Sequence, residues 1–195
     1  MKPPDIIEVT LKVVKVFEKL NITYYIGGSL ASSAFGVARA TLDVDVVADI
    51  TLEKASFIEE FLKEEFYVDI EMIRNAIHQQ SYFNLIHLET IFKIDVFILK
   101  NLPFYQQAFS RRIQKATSED TSQKLFFATP EDIILSKLEW YKSGKEASDR
   151  QWNDILGVLK VQGSQLDKTY LEHWAEELSV SRLLEKAFSD AGILE

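Results

Sequence analysis

The hydrophobic positions of the first half of the chain follow two spacings. Residues 5–20 place apolar side chains three or four positions apart, which predicts an amphipathic helix that Asn21 ends. The apolar run ITYYIG at 22–27 predicts a short buried strand, and 29–35 predicts a helix that follows two glycines directly. The chain therefore begins with a helix, a strand, a glycine turn and a second helix.

Strand-like alternation dominates the next segment, beginning with DVDVVAD at Asp43. We expect Thr51 to cap a helix that buries Ala55, Ile58, Phe61 and Leu62. Further on, the pattern predicts a strand at 67–70, a helix at 71–80 and strands at 82–88 and 92–99. The segments FSRRIQKAT and QKLFFAT flank the polar SEDTS and favour a hairpin. This order predicts a mixed sheet with helices, of the α+β class.

From Thr129 onward the spacing is helical only. Thr129 is a good N-cap with Pro130 in the first helical position, and four apolar stripes follow. The tryptophans Trp140, Trp152 and Trp174 fall on or beside these stripes and are interpreted as bundle core. We therefore expect a mixed-sheet domain over 1–127 and a C-terminal helical bundle over 128–195 packed on it, with the boundary near Phe127.

Composition narrows the function classes. The 195 residues contain no cysteine, which excludes disulfides and thiolate metal sites. Their formal net charge of −8 argues against a surface built mainly for electrostatic nucleic-acid binding. A nucleic-acid acceptor stays open through a local basic patch, for which Arg111, Arg112 and Lys115 are weak candidates. No apolar run approaches the roughly 20 residues of a membrane span, and the N-terminus lacks a secretory pattern. A cytoplasmic protein without a membrane partner is expected.

Three aspartates stand out on the predicted strands. Alternate residues of a strand face the same side, so Asp43 and Asp45 project together, while Asp95 in FKIDVFIL faces away from its apolar neighbours. Adjacent carboxylates repel one another unless a cation, a proton or hydrogen bonds compensate, and oxygen ligands suit Mg²⁺ or Mn²⁺. If the strands are neighbours, the three carboxylates predict a metal site for phosphoryl transfer.

The glycine pair before the second helix is a candidate phosphate-binding turn. Gly27 and Gly28 lead into a predicted helix, and a turn without side chains lets backbone N–H groups approach a phosphate, with Ser29 as an added hydroxyl donor. The alternative is a plain strand-to-helix turn. The P-loop and dinucleotide-binding motifs do not match this segment.

In this order, Gly27-Gly28-Ser29, Asp43-Val44-Asp45 and Asp95 resemble the DNA polymerase β nucleotidyltransferase superfamily. Within it, RATLDVD at 39–45 and TPEDIILSKL at 129–138 resemble the bacterial nucleotidyltransferases related to abortive-infection toxins. The resemblance covers roughly residues 5–160. It implies a catalytic domain over 1–127 with a sheet like the polymerase β palm. The implied activity is Mg²⁺- or Mn²⁺-dependent transfer of a nucleoside monophosphate from an NTP to a hydroxyl acceptor, with release of pyrophosphate.

The resemblance also implies residue roles. Gly27, Gly28 and Ser29 would hold the nucleotide triphosphate, Asp43 and Asp45 would ligate the metal, and Asp95 would complete the metal site and help to activate the acceptor. Lys137 would face the phosphates; the alternative is an exposed lysine that covers apolar surface with its stem. Arg39 would contact phosphate or pair with the carboxylates.

Other positions favour structural interpretations. Arg150 and Asp154 are four residues apart on a predicted helix and are interpreted as a surface ion pair, while Gln151 departs from the family's usual arginine. His78, His87 and His173 share no metal-ligand spacing and are expected to be surface or partly buried.

Two other functions stay open. One is a toxin–antitoxin component that acts mainly by binding or modifying a protein partner, and the other is a nucleotide sensor without transfer. Small molecules, RNA 3′ ends and protein hydroxyls are all candidate acceptors, because transfer to any of them needs the same metal-and-phosphate half-site.

Overall fold

A computed structural model describes residues 4–116 and 124–193. The predicted polar turn SEDTS at 118–122 lies outside the described residues. Within the described part of the chain, every helix is too short or too polar to cross a bilayer.

Helices and strands alternate through the first two thirds of the chain, and helices alone follow. The helices are α1 Ile6–Lys19, α2 Gly28–Phe35, α3 Ala55–Leu62, α4 Ile70–Gln79, α5 Pro103–Arg111, α6 Pro130–Ser143, α7 Asp149–Gln162, α8 Lys168–Glu177 and α9 Ser181–Ala191. The strands are β1 Tyr24–Ile26, β2 Asp43–Ala48, β3 Phe66–Tyr67, β4 Tyr82–His87, β5 Lys93–Ile98, β6 Ile113–Ala116 and β7 Lys124–Phe127. The predicted α+β class with a mixed sheet is confirmed.

The chain forms two compact units. Unit 1 contains the chain up to Gly27 together with Thr41–Phe127, and unit 2 contains Gly28–Ala40 together with the chain from Ala128 onward. The short segment that carries α2 is therefore grouped with the C-terminal helices rather than with its neighbours in sequence.

Unit 1 is built on a seven-stranded sheet in the order β3-β4-β5-β2-β1-β7-β6. The central strands β2 and β5 are parallel, whereas β1 and β4 run antiparallel to them. Alternation along β2, β4 and β5 sends one set of side chains into the core: Val44, Val46, Phe83, Leu85, Ile94 and Val96. The residues between them therefore share the opposite face of the sheet, which is where the aspartates lie.

The sequence of helix α1 explains where the helix begins and which side chains it buries. The Asp5 side chain accepts hydrogen bonds from the N–H groups of Ile7 and Glu8, and the Glu8 carboxylate accepts one from Asp5 N–H, so the helix begins with a capping box. The stripe of Val9, Val13 and Phe17 is fully buried, as the spacing predicts.

Unit 2 begins its helical run where the sequence predicts. The Thr129 hydroxyl accepts a hydrogen bond from Asp132 N–H, and Pro130 occupies the first turn of α6. Segment 28–40 packs closely on α7, because a Cβ built on Gly36 would lie 2.7 Å from Val158 N and 2.8 Å from the carbonyl carbon of Gly157. Only a glycine permits this approach of two backbones.

Several local expectations are wrong. Thr51 precedes a 3-10 turn, Leu52–Lys54, rather than α3 itself, and Phe61 is exposed with Lys19 Nζ 3.6 Å from its ring centroid. Trp140 is 59% exposed and is not bundle core.

Two boundaries also differ from the predictions. Residues 109–111 end α5 instead of joining the hairpin, since Pro103 starts a helix upstream, whereas the pairing of β6 with β7 is confirmed. The strand predicted at 67–70 is only Phe66–Tyr67, because Asp69 accepts hydrogen bonds from the first N–H groups of α4.

Candidate functional site

The three strand aspartates lie side by side in unit 1. Asp45 of β2 and Asp95 of β5 are direct partners in the parallel ladder, and Asp43 lies two residues before Asp45 on the same face. The strand adjacency expected from the sequence is therefore present. Asp43, Asp45 and Asp95 are called the carboxylate cluster below.

Two further side chains contact this cluster. Lys93 of β5 places its Nζ 3.0 Å from Asp95 Oδ2 and 3.8 Å from Asp43 Oδ1. Asn84, which is the register partner of Asp95 on β4, donates a hydrogen bond from Nδ2 to Asp95 Oδ1. Both oxygens of Asp95 are thus engaged, and only 13% of its side chain is exposed.

The ammonium of Lys93 is held by the carboxylates of Asp43 and Asp95. The hydrogen bond to Asp95 raises the pKa of Lys93 against the opposing effect of its burial, and the charges of Asp95, Asp43 and Asp45 add to the increase. Lys93 is therefore held in its charged form.

The donor set fits a hard divalent cation, since it consists of carboxylate oxygens on neighbouring strands. In the described ranges, no three His, Asp or Glu side chains already stand as a ligand group around one point. The ammonium of Lys93 instead lies between Asp95 and Asp43.

The glycine turn spans the change from one unit to the other. In unit 1, Gly27 N–H donates to the Asp45 carbonyl oxygen over 2.9 Å, so the turn starts beside the carboxylate cluster. In unit 2, Gly28 begins α2 with a φ of 54°, a conformation that favours glycine. The backbone geometry alone therefore favours glycine at position 28, independently of any role in holding a phosphate.

Unit 2 holds a second group of charged side chains around Asp154 of α7. Arg39 donates from Nε to Asp154 Oδ1 over 2.8 Å and from Nη2 to Oδ2 over 2.9 Å, a bidentate pair. Lys137 of α6 donates from Nζ to the same Oδ2 over 2.9 Å. Arg39, Lys137 and Asp154 are called the ion-pair cluster below.

Neutral side chains complete this cluster. Arg39 Nη2 also donates to Ser29 Oγ over 2.5 Å, and Lys137 Nζ donates to Gln151 Oε1 over 2.9 Å. Lys137 and Asp154 are both about 5% exposed. Ser29, Arg39 and Lys137, which the family resemblance assigned to the nucleotide, are therefore brought together within one unit.

Electrostatics hold the ion-pair cluster in its charged state. Burial alone would raise the pKa of Asp154, but the hydrogen bond from Arg39 and the charge and hydrogen bond of Lys137 outweigh it, so the pKa falls below its ordinary 3.8. The hydrogen bond to Asp154 likewise raises the pKa of Arg39. Asp154 thus accepts hydrogen bonds from two cationic side chains within unit 2.

Two structural interpretations from the sequence are wrong here. Asp154 is not part of a surface pair with Arg150, because its side chain is buried and bound by Arg39 and Lys137. Lys137 is not an exposed lysine lying over apolar surface, because its Nζ is buried against Asp154 and Gln151. A third expectation also differs: His87, expected to be a surface or partly buried side chain, is buried with its Nδ1 2.9 Å from Thr90 Oγ1.

Two residues of these sites, Lys93 and Asn84, are absent from the sequence expectations, and Gln151 appears there only as a departure from the family's usual arginine. The position of Lys93 beside Asp95 was predictable, because it lies two residues before Asp95 and a strand places both side chains on one face. Asn84 and Gln151 depend on strand register and on helix packing, which no local pattern indicates.

This sheet and these helices have the same fold as several solved nucleotidyltransferase structures, which confirms the fold that the sequence resemblance implies. The crystal structure of ANT(2'')-Ia in complex with adenylyl-2''-tobramycin matches with a TM-score of 0.58 and 12% identity, over 88% of this chain and 95% of that chain. The solution structure of the antibiotic-resistance factor ANT(2'')-Ia matches with a TM-score of 0.52 and 15% identity, over 96% of each chain.

A third solved structure is a nucleotidyltransferase-like protein from Paracoccidioides brasiliensis, described as antigenic. It matches with a TM-score of 0.50 and 18% identity, over 93% of this chain and 90% of that chain. No protein-family model and no curated protein matches the chain.

Proposed function

We propose that the protein transfers a nucleoside monophosphate from an NTP to a hydroxyl acceptor and releases pyrophosphate. The observation that carries this proposal is the carboxylate cluster, in which Asp45 and Asp95 are register partners on parallel strands and Asp43 shares their face. The fold is compatible with this activity, and the structural relative ANT(2'')-Ia was solved with adenylyl-2''-tobramycin, a small molecule that carries a nucleotidyl group.

In this mechanism, Asp43, Asp45 and Asp95 would hold the divalent cation, Mg²⁺ or Mn²⁺, which would supply charge stabilisation to the phosphates. Asp95 also accepts the proton of the acceptor hydroxyl. The acceptor oxygen forms a bond to the α-phosphorus as the bond from that phosphorus to the bridging β-phosphate oxygen breaks. The electron pair of that bond leaves with pyrophosphate, and the monophosphate remains on the acceptor.

The ion-pair cluster is proposed to bind the phosphates of the NTP. Arg39 offers a planar guanidinium that suits phosphate oxygens, and Lys137 offers a compact ammonium. Asp154 orients both cationic groups through its hydrogen bonds. Gly28 and Ser29 at the start of α2 add a backbone N–H and a hydroxyl to this role.

The proposal is tested with labelled NTPs, Mg²⁺ and a cell extract as the source of acceptors. The wild type should release pyrophosphate and label one acceptor fraction. Asp43→Asn/Asp45→Asn should lose this activity by about 100-fold or more, because the cation ligands are gone. Asp49→Asn is the matched control, since Asp49 is an exposed acid just beyond the end of β2.

Equal labelling by the wild type and the double variant would contradict the metal assignment. The labelled fraction also distinguishes the acceptor classes, which are small molecules, RNA and protein. Label in protein would agree with the alternative in which the chain modifies a protein partner as a toxin–antitoxin component.

A further inference from the structure

Lys93 occupies an unusual place for a strand lysine. It lies on the same face of β5 as Asp95, and its Nζ reaches Asp95 over 3.0 Å and Asp43 over 3.8 Å. These are two of the three carboxylates that the proposed function assigns to the cation. An ammonium group that touches them provides positive charge at the place where the cation's charge is needed.

We infer that Lys93 is an internal counter-cation that keeps the carboxylate cluster from binding free divalent ions tightly before the nucleotide arrives. A dication that binds these carboxylates must displace the ammonium or tolerate its repulsion a few ångströms away, and either cost weakens binding. This inference rests on the proposed function and adds to it a means of coupling cation binding to nucleotide binding.

The geometry lets Lys93 leave without unfolding its surroundings. Its side chain is 39% exposed and Asp43 is 58% exposed, so the ammonium can reach solvent by rotating its stem. Asp95 keeps the hydrogen bond from Asn84 when Lys93 departs. The phosphates of an arriving NTP would offer the ammonium a replacement anion, so the metal and the nucleotide would favour each other's binding.

The experiment measures Mn²⁺ binding to the nucleotide-free protein by the loss of the free-ion electron paramagnetic resonance signal. Lys93→Met should bind Mn²⁺ about tenfold more tightly than the wild type, because one positive charge is removed from the cluster. Lys93→Arg, which keeps the charge, should bind like the wild type. Lys63→Met is the matched control, because Lys63 is exposed beyond the end of α3 and its loss changes the net charge equally.

The same titration in the presence of a non-hydrolysable ATP analogue should show a smaller difference between the wild type and Lys93→Met. Lys93→Gln repeats the test if Lys93→Met does not fold, as judged by circular dichroism. If Lys93 only links two strands, Lys93→Met should bind Mn²⁺ as tightly as the wild type or more weakly. This result would overturn the inference.

Asp43→Asn/Asp45→Asn separates this failure from failure of the proposed function. If the double variant loses Mn²⁺ binding while Lys93→Met binds like the wild type, the cation site stands and the role of Lys93 is wrong. If neither the wild type nor Lys93→Met binds Mn²⁺ with or without the analogue, the cation assignment of the proposed function itself fails.

Discussion

The carboxylate cluster of unit 1 and the ion-pair cluster of unit 2 are both groups of charged side chains, yet they differ in burial and in the partners of their aspartates. Asp43 is 58% exposed and shares Lys93 with Asp95, whereas Asp154 is 5% exposed and is bound by both an arginine and a lysine. The carboxylate cluster is thus partly open to solvent, and the ion-pair cluster surrounds a buried carboxylate with two cationic side chains.

This difference indicates which aspartates should mainly affect nucleotidyl transfer and which should mainly affect the stability of the fold. An exposed charged group contributes little to folding and can exchange its partner for a ligand of opposite charge. A buried carboxylate with two cationic partners stabilises the fold, because its removal takes a hydrogen-bonded counter-charge from both of them. Aspartates that look alike in the sequence should therefore give opposite results when they are replaced.

The largest effect is expected at Asp154. Asp154→Ala should lower the free energy of unfolding by about 3 kcal/mol or more, because Lys137 is buried and would lose its carboxylate. Asp43→Asn should change it by no more than about 0.5 kcal/mol while abolishing transfer. Urea unfolding followed by circular dichroism measures both, with Asp149→Ala as the control because this exposed residue begins the same helix α7. Similar stability losses at Asp154 and Asp43 would remove the distinction between the clusters.

A smaller effect is expected at Gly36, which lets segment 28–40 approach α7. In Gly36→Ala the new methyl group would lie within 2.9 Å of three backbone atoms, so we expect a loss of about 1–3 kcal/mol in the free energy of unfolding. Gly144→Ala is the control, because its nearest atom would be 3.4 Å away.

Gly36→Ala also sharpens the comparison of the clusters. The change strains the packing that brings Arg39 to Asp154 but touches no strand, so the Mn²⁺ affinity of the folded variant should equal that of the wild type. A variant that keeps its stability, or a folded variant with altered Mn²⁺ affinity, would contradict this interpretation.

The carboxylate cluster was largely predictable from the sequence. Strand alternation places Asp43 and Asp45 on one face, and the buried valines and isoleucines around Asp95 fix its orientation. The start of α6 at Pro130 was predictable for a similar reason, since a Thr-Pro pair satisfies a helix N-terminus locally. These features depend on neighbours within a few residues.

The ion-pair cluster was not predictable in the same way. Arg39 and Asp154 are 115 positions apart, and their meeting depends on how residues 28–40 pack on α7. Local spacing instead suggested Arg150 as the partner of Asp154, because residues four apart share a helix face. The exposed Trp140 is a second example of what local patterns do not predict, since periodicity does not identify which apolar side chains are buried against another element.

The smallest expected effect is the pH dependence of the ion-pair cluster. The pKa of Asp154 in the folded protein lies below its ordinary 3.8, so the unfolded chain binds a proton at higher pH than the folded one. The stabilisation by Asp154 is thus fully present above about pH 4 and declines as the pH falls through the lowered value. Urea unfolding of the wild type and Asp154→Asn should show a constant difference between about pH 7 and pH 5, and a smaller one below about pH 3.8. A difference that widens on acidification would mean that the Asp154 carboxylate has a raised pKa, and that Arg39 and Lys137 do not compensate for its burial.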